Sequence, residues 1–293
     1  MPDVTDDHFP RQPELSGKLA RFRLVRKLAE TNTSVVYLAE ETDLGNRSVA
    51  IKVIVPALAR DEILRAASLD HHNIVPVHFA QTDGELLYLV MPYVDGPNLR
   101  ELLTNGPLDL SWTVHMIREV AAALDFAHAA GVVHRDVKPS NILVDRQSGR
   151  VLLCDFGIAA HAFTGAGRAG VGTPGFVAPE LIPGGGRAGA PIDPRADVYS
   201  LGAVLYQCLT GRPPYAHSDV NALLWAQGHE KPRPVTALRP ELPTALDDVL
   251  ATALAKRPRD RHTTCLELAD ELRLAVSGRP VRDVRRTPRP KGR

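Results

Sequence analysis

The stretch His134-Arg135-Asp136-Val137-Lys138-Pro139-Ser140-Asn141, followed fourteen residues later by Asp155-Phe156-Gly157, decides how this chain is interpreted. It places two carboxylates, a lysine and a side-chain amide in one short part of the chain. Phosphoryl transfer needs such a set, because the protein's task there is to position groups and neutralise charge rather than to form covalent bonds. A lone His-x-Asp would carry little information, but this combination is hard to obtain by chance.

Length, composition and charge set the limits within which these residues act. The 293 residues, 44% of them hydrophobic, suit one large domain or two closely packed lobes. A net charge of +1 gives no general attraction to nucleic acid or to an anionic membrane. The odd number of cysteines, with no paired metal spacing, predicts buried thiols in a reducing compartment (Cys154, Cys208 and Cys265).

Neither a signal peptide nor a membrane span is visible in the sequence. Residues 1–7 are acidic and lack an apolar core. The longest apolar run, residues 198–209, is shorter than the about 20 residues that a spanning helix needs. The sequence therefore predicts a soluble, cytoplasmic protein.

The first third of the chain is rich in short β-branched runs. After a polar leader, residues 1–20, these runs predict an antiparallel sheet with strands at 22–25, 35–38, 49–54 and 86–90 and turns at Gly45-Asn46 and Asp83-Gly84. Helical spacing predicts one helix over residues 57–68.

Helical patterns take over after residue 99. Residues 110–130 predict a helix that stops at Gly131, and residues 198–209 are apolar nearly all round, which indicates a buried central helix. Three later helices are predicted, at 220–225, 246–254 and 264–276, before a basic tail (277–293) that we expect to be disordered. A β-rich lobe followed by a larger helical lobe predicts a ligand cleft near residues 91–96.

These motifs and their order resemble the Ser/Thr protein kinases, and within them the bacterial Hanks-type (eukaryotic-like) kinases. The closer resemblance lies in Met91-Pro92-Tyr93-Val94-Asp95-Gly96, in residues 197–202 and in residues 209–214. It implies an α+β, two-lobed protein kinase fold over residues 21–276, with an N-lobe at 21–94 and a C-lobe at 95–276.

The resemblance also implies roles for the residues of the opening stretch. Asp136 matches the carboxylate that deprotonates the substrate hydroxyl, and Lys138 the lysine that contacts the γ-phosphate of ATP. Asn141 and Asp155 match the ligands of Mg²⁺, for which Mn²⁺ can substitute. Lys52, which closes Val49-Ala50-Ile51-Lys52, matches the lysine of the α- and β-phosphates.

The expected partner of Lys52 is Glu62. Nine residues separate the two, fewer than the family usually has, so the helix that carries Glu62 is expected to be short or displaced. A solvated surface pair between Glu62 and Arg65 is the alternative.

The adenine site is expected at the junction of the lobes. The backbone of Pro92 and Val94 matches the groups that hydrogen-bond adenine, and Met91 matches the residue at the back pocket. The remaining residues expected around the nucleotide are Leu28, Val36, Ala50, Leu143 and Cys154, whose thiol is interpreted as a buried spectator.

Residues 172–180 resemble the loop that docks the substrate. The Thr173 hydroxyl is expected to contact Asp136 and Lys138, and Glu180 is expected to form a buried ion pair with Arg261. Three further residues complete the expectations: Asp197 supports the backbone of the catalytic loop, Arg135 binds a phosphate of the activation segment, and Thr164 is the candidate autophosphorylation site. His128 is interpreted as a helix-packing histidine.

The loop expected to cover the phosphates departs from the family pattern. Ala29, Thr31 and Ser34 stand where the family has glycine, which lets a backbone approach phosphate closely. Hydroxyls of Thr31, Thr33 and Ser34 could replace some of the lost contacts.

Three functions follow. The first is an ATP- and Mg²⁺-dependent kinase that acts on Ser/Thr of proteins, with a threonine preference indicated by Ile158. The second is a pseudokinase scaffold, favoured by the glycine-free loop. The third is a small-molecule phosphotransferase; such enzymes lack the motifs formed here by Ala178-Pro179-Glu180 and by Lys138. No nucleic-acid partner is indicated; the basic tail could bind an acidic partner or remain solvated.

Overall fold

The N-terminal lobe is a five-stranded antiparallel sheet. The computed structural model describes residues 15, 17–31, 34–54, 60–156, 173–182 and 192–278, without the side chains of residues 60–62. The strands, in the order β1-β2-β3-β5-β4, are β1 (Phe22–Glu30), β2 (Ser34–Glu41), β3 (Arg47–Ile54), β4 (Phe79–Asp83) and β5 (Leu86–Pro92), and helix α1 (Arg60–Ala67) lies between β3 and β4.

Because side chains alternate between the two sides of each strand, the sheet has two apolar faces. Ile51 and its cross-strand partners Tyr37 and Val90 belong to a core that also contains Leu19 and Phe22. The opposite face carries Lys52, whose partners are Val36 and Leu89. Successive strand residues point to opposite faces, so the second face is the one available to the inter-lobe cleft.

The C-terminal lobe is helical around one buried helix. Its elements are α2 (Leu99–Leu102), α3 (Leu110–Ala129), the hairpin β6 (Ile142–Val144) and β7 (Val151–Leu153), α4 (Arg195–Thr210), α5 (Val220–His229), α6 (Ala245–Ala253) and α7 (Cys265–Val276). Helix α4 is buried almost throughout, as its apolar sequence predicts, and α3, α6 and α7 pack against it.

Local signals explain the ends of the long helix α3. The Asp109 carboxylate accepts a hydrogen bond from the Trp112 amide at 2.9 Å, and Gly131 has φ +74° just past the helix. An N-cap acceptor and a left-handed glycine are ordinary helix boundaries. The predicted helix over 110–130 is therefore confirmed.

Several elements differ from the prediction: β1 continues to Glu30, five residues past its predicted end, and α4 begins at Arg195, three residues before its predicted start. Strand β4 was not predicted, because its partly buried residues Phe79–Asp83 show no alternating apolar pattern and gain their order from pairing with β5. Helix α5 continues to His229, four residues past the predicted end, since Ala226 and Gln227 are buried against neighbouring parts of the lobe.

Backbone hydrogen bonds join the two lobes. The Val75 amide donates to the Leu153 carbonyl at 2.9 Å, and the Leu153 amide donates to the Asn73 carbonyl at 2.8 Å. At the junction, a Cβ on Gly96 would lie 1.9 Å from the Val144 carbonyl oxygen, so this position requires glycine. None of the helices in the described ranges has the length and apolar character needed to cross a membrane.

Candidate active site

The buried carboxylate of Asp197, at the start of α4, fixes the backbone of the loop 134–141. Its two oxygens accept hydrogen bonds from the amides of His134 and Arg135, both at 2.8 Å. Arg135 has φ +67°, a conformation that costs energy in a residue with a side chain and is kept because these contacts hold it. The predicted position of Asp197 behind the catalytic loop is present in the structure.

His134 connects this loop to the segment that carries Asp155. Its Nε2 lies 2.9 Å from the Cys154 carbonyl oxygen, and its Nδ1 accepts a hydrogen bond from the Asp136 amide at 3.2 Å. The imidazole ring also packs against Phe156, with ring centroids 4.6 Å apart. These contacts connect the loop that carries Asp136 to the segment that carries Asp155.

The Asp136 carboxylate lies beside a cation and an amide. Lys138 Nζ is 2.6 Å from Asp136 Oδ2, and Asn141 Nδ2 lies 3.2 Å from the same oxygen and 2.9 Å from the Asp136 carbonyl. The structure thus brings together three of the predicted catalytic-loop residues. An oriented carboxylate of this kind can accept a proton from a hydroxyl placed next to it.

Lys52 reaches from the N-lobe sheet to Asp155, with Nζ 2.8 Å from Oδ1. Lys52 is buried, and Asp155 has φ +69°. Burial alone would raise the pKa of the Asp155 carboxyl, but the ammonium group of Lys52 outweighs burial and holds this pKa below its ordinary value. Asp155 is therefore ionised at neutral pH.

The donor set of Asn141 and Asp155 fits a hard divalent cation. Mg²⁺ prefers oxygen ligands and binds through one or two carboxylates together with phosphate oxygens. Asn141 uses its Nδ2 to bind Asp136, and its amide oxygen, which accepts a long contact of 3.4 Å from the Ser140 hydroxyl, is the atom that could bind a cation.

His128 is more than the helix-packing residue predicted. Its Nε2 lies 2.7 Å from Asp197 Oδ2 and its Nδ1 3.7 Å from Asp125 Oδ1. Burial would lower the pKa of His128, but the two carboxylates raise it to about 9. His128 in turn helps to hold the pKa of Asp197 below its ordinary value, against the effect of burial. The interpretation as a packing residue did not include this charge, because Asp197, one of the two carboxylates, lies in a different helix.

Asp125, His128 and Cys265 also bring three candidate metal-ligand atoms within 4.8 Å of one another. Asp125, however, accepts hydrogen bonds from the amides of Cys265 and Leu266, at 2.9 and 3.0 Å. Burial also raises the pKa of the Cys265 thiol well above its ordinary value. The Asp125 carboxylate therefore holds the first turn of α7.

Val36, Ala50 and Met91, three of the residues expected around adenine, share the second face of the sheet. Ala50 pairs with Met91, on the same face as Val36 and Lys52. A register shift between Lys27 and Ala29 leaves Leu28 without a partner in β2. From the C-lobe, Leu143 lies in β6, and burial raises the pKa of the Cys154 thiol well above its ordinary value, as suits an unreactive thiol.

The glycine-free loop is closed by hydroxyl groups. Ser34 is buried; its hydroxyl lies 3.0 Å from that of Thr31, and its amide donates to the Thr31 hydroxyl at 3.1 Å. The Ser34 hydroxyl therefore points into the turn, so the idea that it replaces a phosphate contact is not supported by this arrangement. Thr33 lies outside the described residues.

The ion pair predicted at the end of the docking loop forms with two short contacts. Arg261 Nη1 and Nη2 lie 2.6 and 2.7 Å from the two oxygens of Glu180, and the Arg261 side chain is fully buried. Among the hydrogen bonds of the described residues, none joins the Thr173 hydroxyl to Asp136 or Lys138, so that contact stays a prediction. Thr164, Ile158 and the side chain of Glu62 lie outside the part that the structure describes.

Comparison with known proteins agrees with this geometry. A profile described as "Protein kinase domain" matches residues 22–272. The chain belongs to this family. It is 42% identical over 277 residues to "Serine/threonine-protein kinase PknJ" of Mycobacterium tuberculosis and 37% identical over 280 residues to "Serine/threonine-protein kinase PknB" of the same species, covering 88% and 89% of this chain.

The narrower resemblance to bacterial Hanks-type Ser/Thr kinases is thereby confirmed. The solved "Mycobacterium tuberculosis PknI kinase domain" is 32% identical and covers 87% of this chain and 96% of its own, with a TM-score of 0.68, which confirms the two-lobed fold. The chain spans 46% of the length of PknJ and 44% of that of PknB, less than half of each.

Two residues with structural roles near the site escaped the sequence analysis. Asp125 and Gln227 are polar residues whose partners lie 140 and 50 residues away along the chain. A polar residue on an otherwise apolar helix is a signal for such a contact, but it does not identify the partner.

Proposed function

We propose that this domain transfers the γ-phosphoryl group of ATP to Ser/Thr hydroxyls of proteins in a Mg²⁺-dependent reaction, including its own autophosphorylation. The observation that supports this most is the arrangement of Asp136, Lys138 and Asn141 beside the Lys52–Asp155 pair. Each of the groups that phosphoryl transfer requires in the C-lobe is present and oriented toward its neighbour.

Each residue of the site has one role in this reaction. Asp136 accepts the proton of the substrate hydroxyl as it attacks, and Lys138, 2.6 Å away, contacts the transferred phosphate. Lys52 orients the α- and β-phosphates. Asn141 and Asp155 would hold Mg²⁺, which neutralises charge on the phosphates when bound.

The cleft and the docking loop supply the remaining contacts. Leu28, Val36, Ala50, Met91 and Leu143 offer apolar surface to adenine, and the backbone of Pro92 and Val94 offers hydrogen bonds. Protein substrates would bind beside residues 173–180. A preference for threonine, phosphorylation of Thr164, a pairing of Lys52 with Glu62 and a cytoplasmic location remain predictions.

Phosphate incorporation from labelled Mg·ATP, with and without myelin basic protein, tests the proposal. Asp136→Asn is the matched control, since an asparagine has the same shape but cannot accept the proton. We expect label in the wild-type protein and its near-complete loss in Asp136→Asn. Equal label in both proteins would contradict the role of Asp136, and no label in the wild type at millimolar ATP would favour a pseudokinase.

A small alcohol such as an aminoglycoside or choline provides the second arm of the same assay. We expect no ATP consumption above background with either compound. Consumption driven by the alcohol but not by the protein substrate would identify a small-molecule phosphotransferase.

A further inference from the structure

One buried side chain from α5 holds the backbone of the docking loop. Gln227 is fully buried; its Nε2 donates to the Val177 carbonyl at 3.0 Å, and its Oε1 accepts from the Gly175 amide at 3.0 Å. Gly175 has φ +101°, in the left-handed region that favours glycine. Both ends of one amide thus fix two backbone groups of the loop, and its removal would leave them buried without partners.

Lys256, just after α6, holds this same region from the other side. Its Nζ donates to the Gln227 carbonyl at 2.6 Å and to the Tyr215 hydroxyl at 2.7 Å, and lies 4.5 Å from the centre of the Tyr215 ring. The docking loop, α5 and the end of α6 are therefore connected through two side chains, Gln227 and Lys256.

The charges around Lys256 make it sensitive to pH. Burial, aided by the positive charge of Arg261, lowers the pKa of Lys256 to about 8, and Glu230 opposes this effect. Burial raises the pKa of the Tyr199 and Tyr215 hydroxyls far above neutrality, so both remain uncharged when Lys256 titrates. Lys256 is thus the group of this cluster that loses its charge just above neutral pH.

We propose that Gln227 and Lys256 are positioning residues that hold residues 175–177 in the shape that binds a protein substrate. The proposal rests on the proposed function, since it assigns the docking role to this loop. Neither residue lies in the nucleotide cleft. Loss of the contacts of either side chain is therefore expected to raise the KM for peptide and to leave the KM for ATP unchanged.

The same contacts predict a pH profile. Hydrogen bonds donated by a charged group are roughly twice as strong as neutral ones. When Lys256 loses its proton, its bonds to Gln227 and Tyr215 weaken, and the KM for peptide rises. Arginine at this position stays charged throughout this range.

Steady-state kinetics with a blocked threonine peptide that has no group titrating between pH 6.5 and 9.5 test the proposal. At pH 7 we expect Gln227→Ala to raise the KM for peptide about tenfold, the loss expected when a buried group is left unpaired. Asn221→Ala, at an exposed position of the same helix, is the matched control and should leave the KM unchanged.

From pH 7 to pH 9 we expect the wild-type KM for peptide to rise about threefold, as a charge-assisted bond becomes a neutral one. Lys256→Arg should flatten this profile, and Lys256→Met should show a high KM at both pH values. Thermal unfolding identifies variants that do not fold. If Gln227→Ala does not fold, Lys256→Arg, which keeps the charge, still tests the proposal.

An unchanged peptide KM in Gln227→Ala, an equal rise in the KM for ATP, or a wild-type pH profile in Lys256→Arg would overturn the positioning role alone. A wild-type protein that phosphorylates no peptide would overturn the proposed function, and the positioning role with it.

Discussion

The ion pair between Glu180 and Arg261 gives a stability prediction that can be calculated from its geometry. The two contacts, at 2.6 and 2.7 Å, are bidentate, and the side-chain exposures are 17% for Glu180 and 0% for Arg261. Removing one partner of a buried pair leaves an uncompensated charge and costs ~3–5 kcal/mol. We expect Glu180→Ala to lower the free energy of unfolding by this amount.

A domain of this size changes its melting temperature by about 2–4 °C per kcal/mol, so the expected loss is about 6–20 °C. Urea unfolding and thermal melts followed by circular dichroism measure both quantities. The matched control is Asp270→Ala, because Asp270 pairs with Arg118 at 3.0 Å but both side chains are 53% exposed. An exposed pair contributes ~0–1 kcal/mol.

A double-mutant cycle separates the pair from the other bonds of Arg261, which donates to the carbonyls of Ala255, Arg195 and Lys256. The double variant Glu180→Ala, Arg261→Met removes both charges and should cost less than the sum of the single variants by at least ~1 kcal/mol. If Glu180→Ala costs no more than Asp270→Ala, or if the double variant is additive, the reasoning fails.

Two further predictions concern packing and pH. Gly96→Ala should destabilise the protein by ~1–3 kcal/mol in urea unfolding, because its Cβ would lie 1.9 Å from the Val144 oxygen. The control Gly228→Ala, whose Cβ would have no atom within 4 Å, should be neutral or slightly stabilising, and equal effects of the two variants would contradict the prediction. His128 has a folded-state pKa raised to about 9, so its contribution to stability is complete below its unfolded pKa near 6.5 and is lost as the pH rises through 9. The difference in unfolding free energy between wild type and His128→Asn should therefore shrink from pH 6.5 to pH 9.5, and a constant difference would contradict the charge assignment.

The two helices with the strongest local patterns were predicted from the sequence to within three residues at each end. Helix α3 follows from its periodicity and from Gly131, and α4 from its apolar composition. Strand β4 was missed because its order depends on pairing with β5, and α5 was predicted too short because its last turn is buried by distant residues.

In the candidate site, too, local spacing was predictable from the sequence and tertiary contacts were not. The order of Asp136, Lys138, Asn141 and Asp155 along the chain predicted a common site, since a short loop followed by a hairpin keeps them near one another. The role of His128 could not be predicted, because its charge depends on two carboxylates, one of which, Asp197, lies in a different helix.

The sequence by itself therefore predicted which groups would carry the chemistry, and it determined the order of most elements and the family resemblance, because these depend on residue type and local spacing. Only the tertiary structure decided the partners of buried polar groups. Lys52 lies against Asp155, Arg261 against Glu180, and Gln227 against the docking loop. The physical reason is that burial makes an unpaired charge or amide costly, while the partner that removes this cost is set by how the lobes and helices pack.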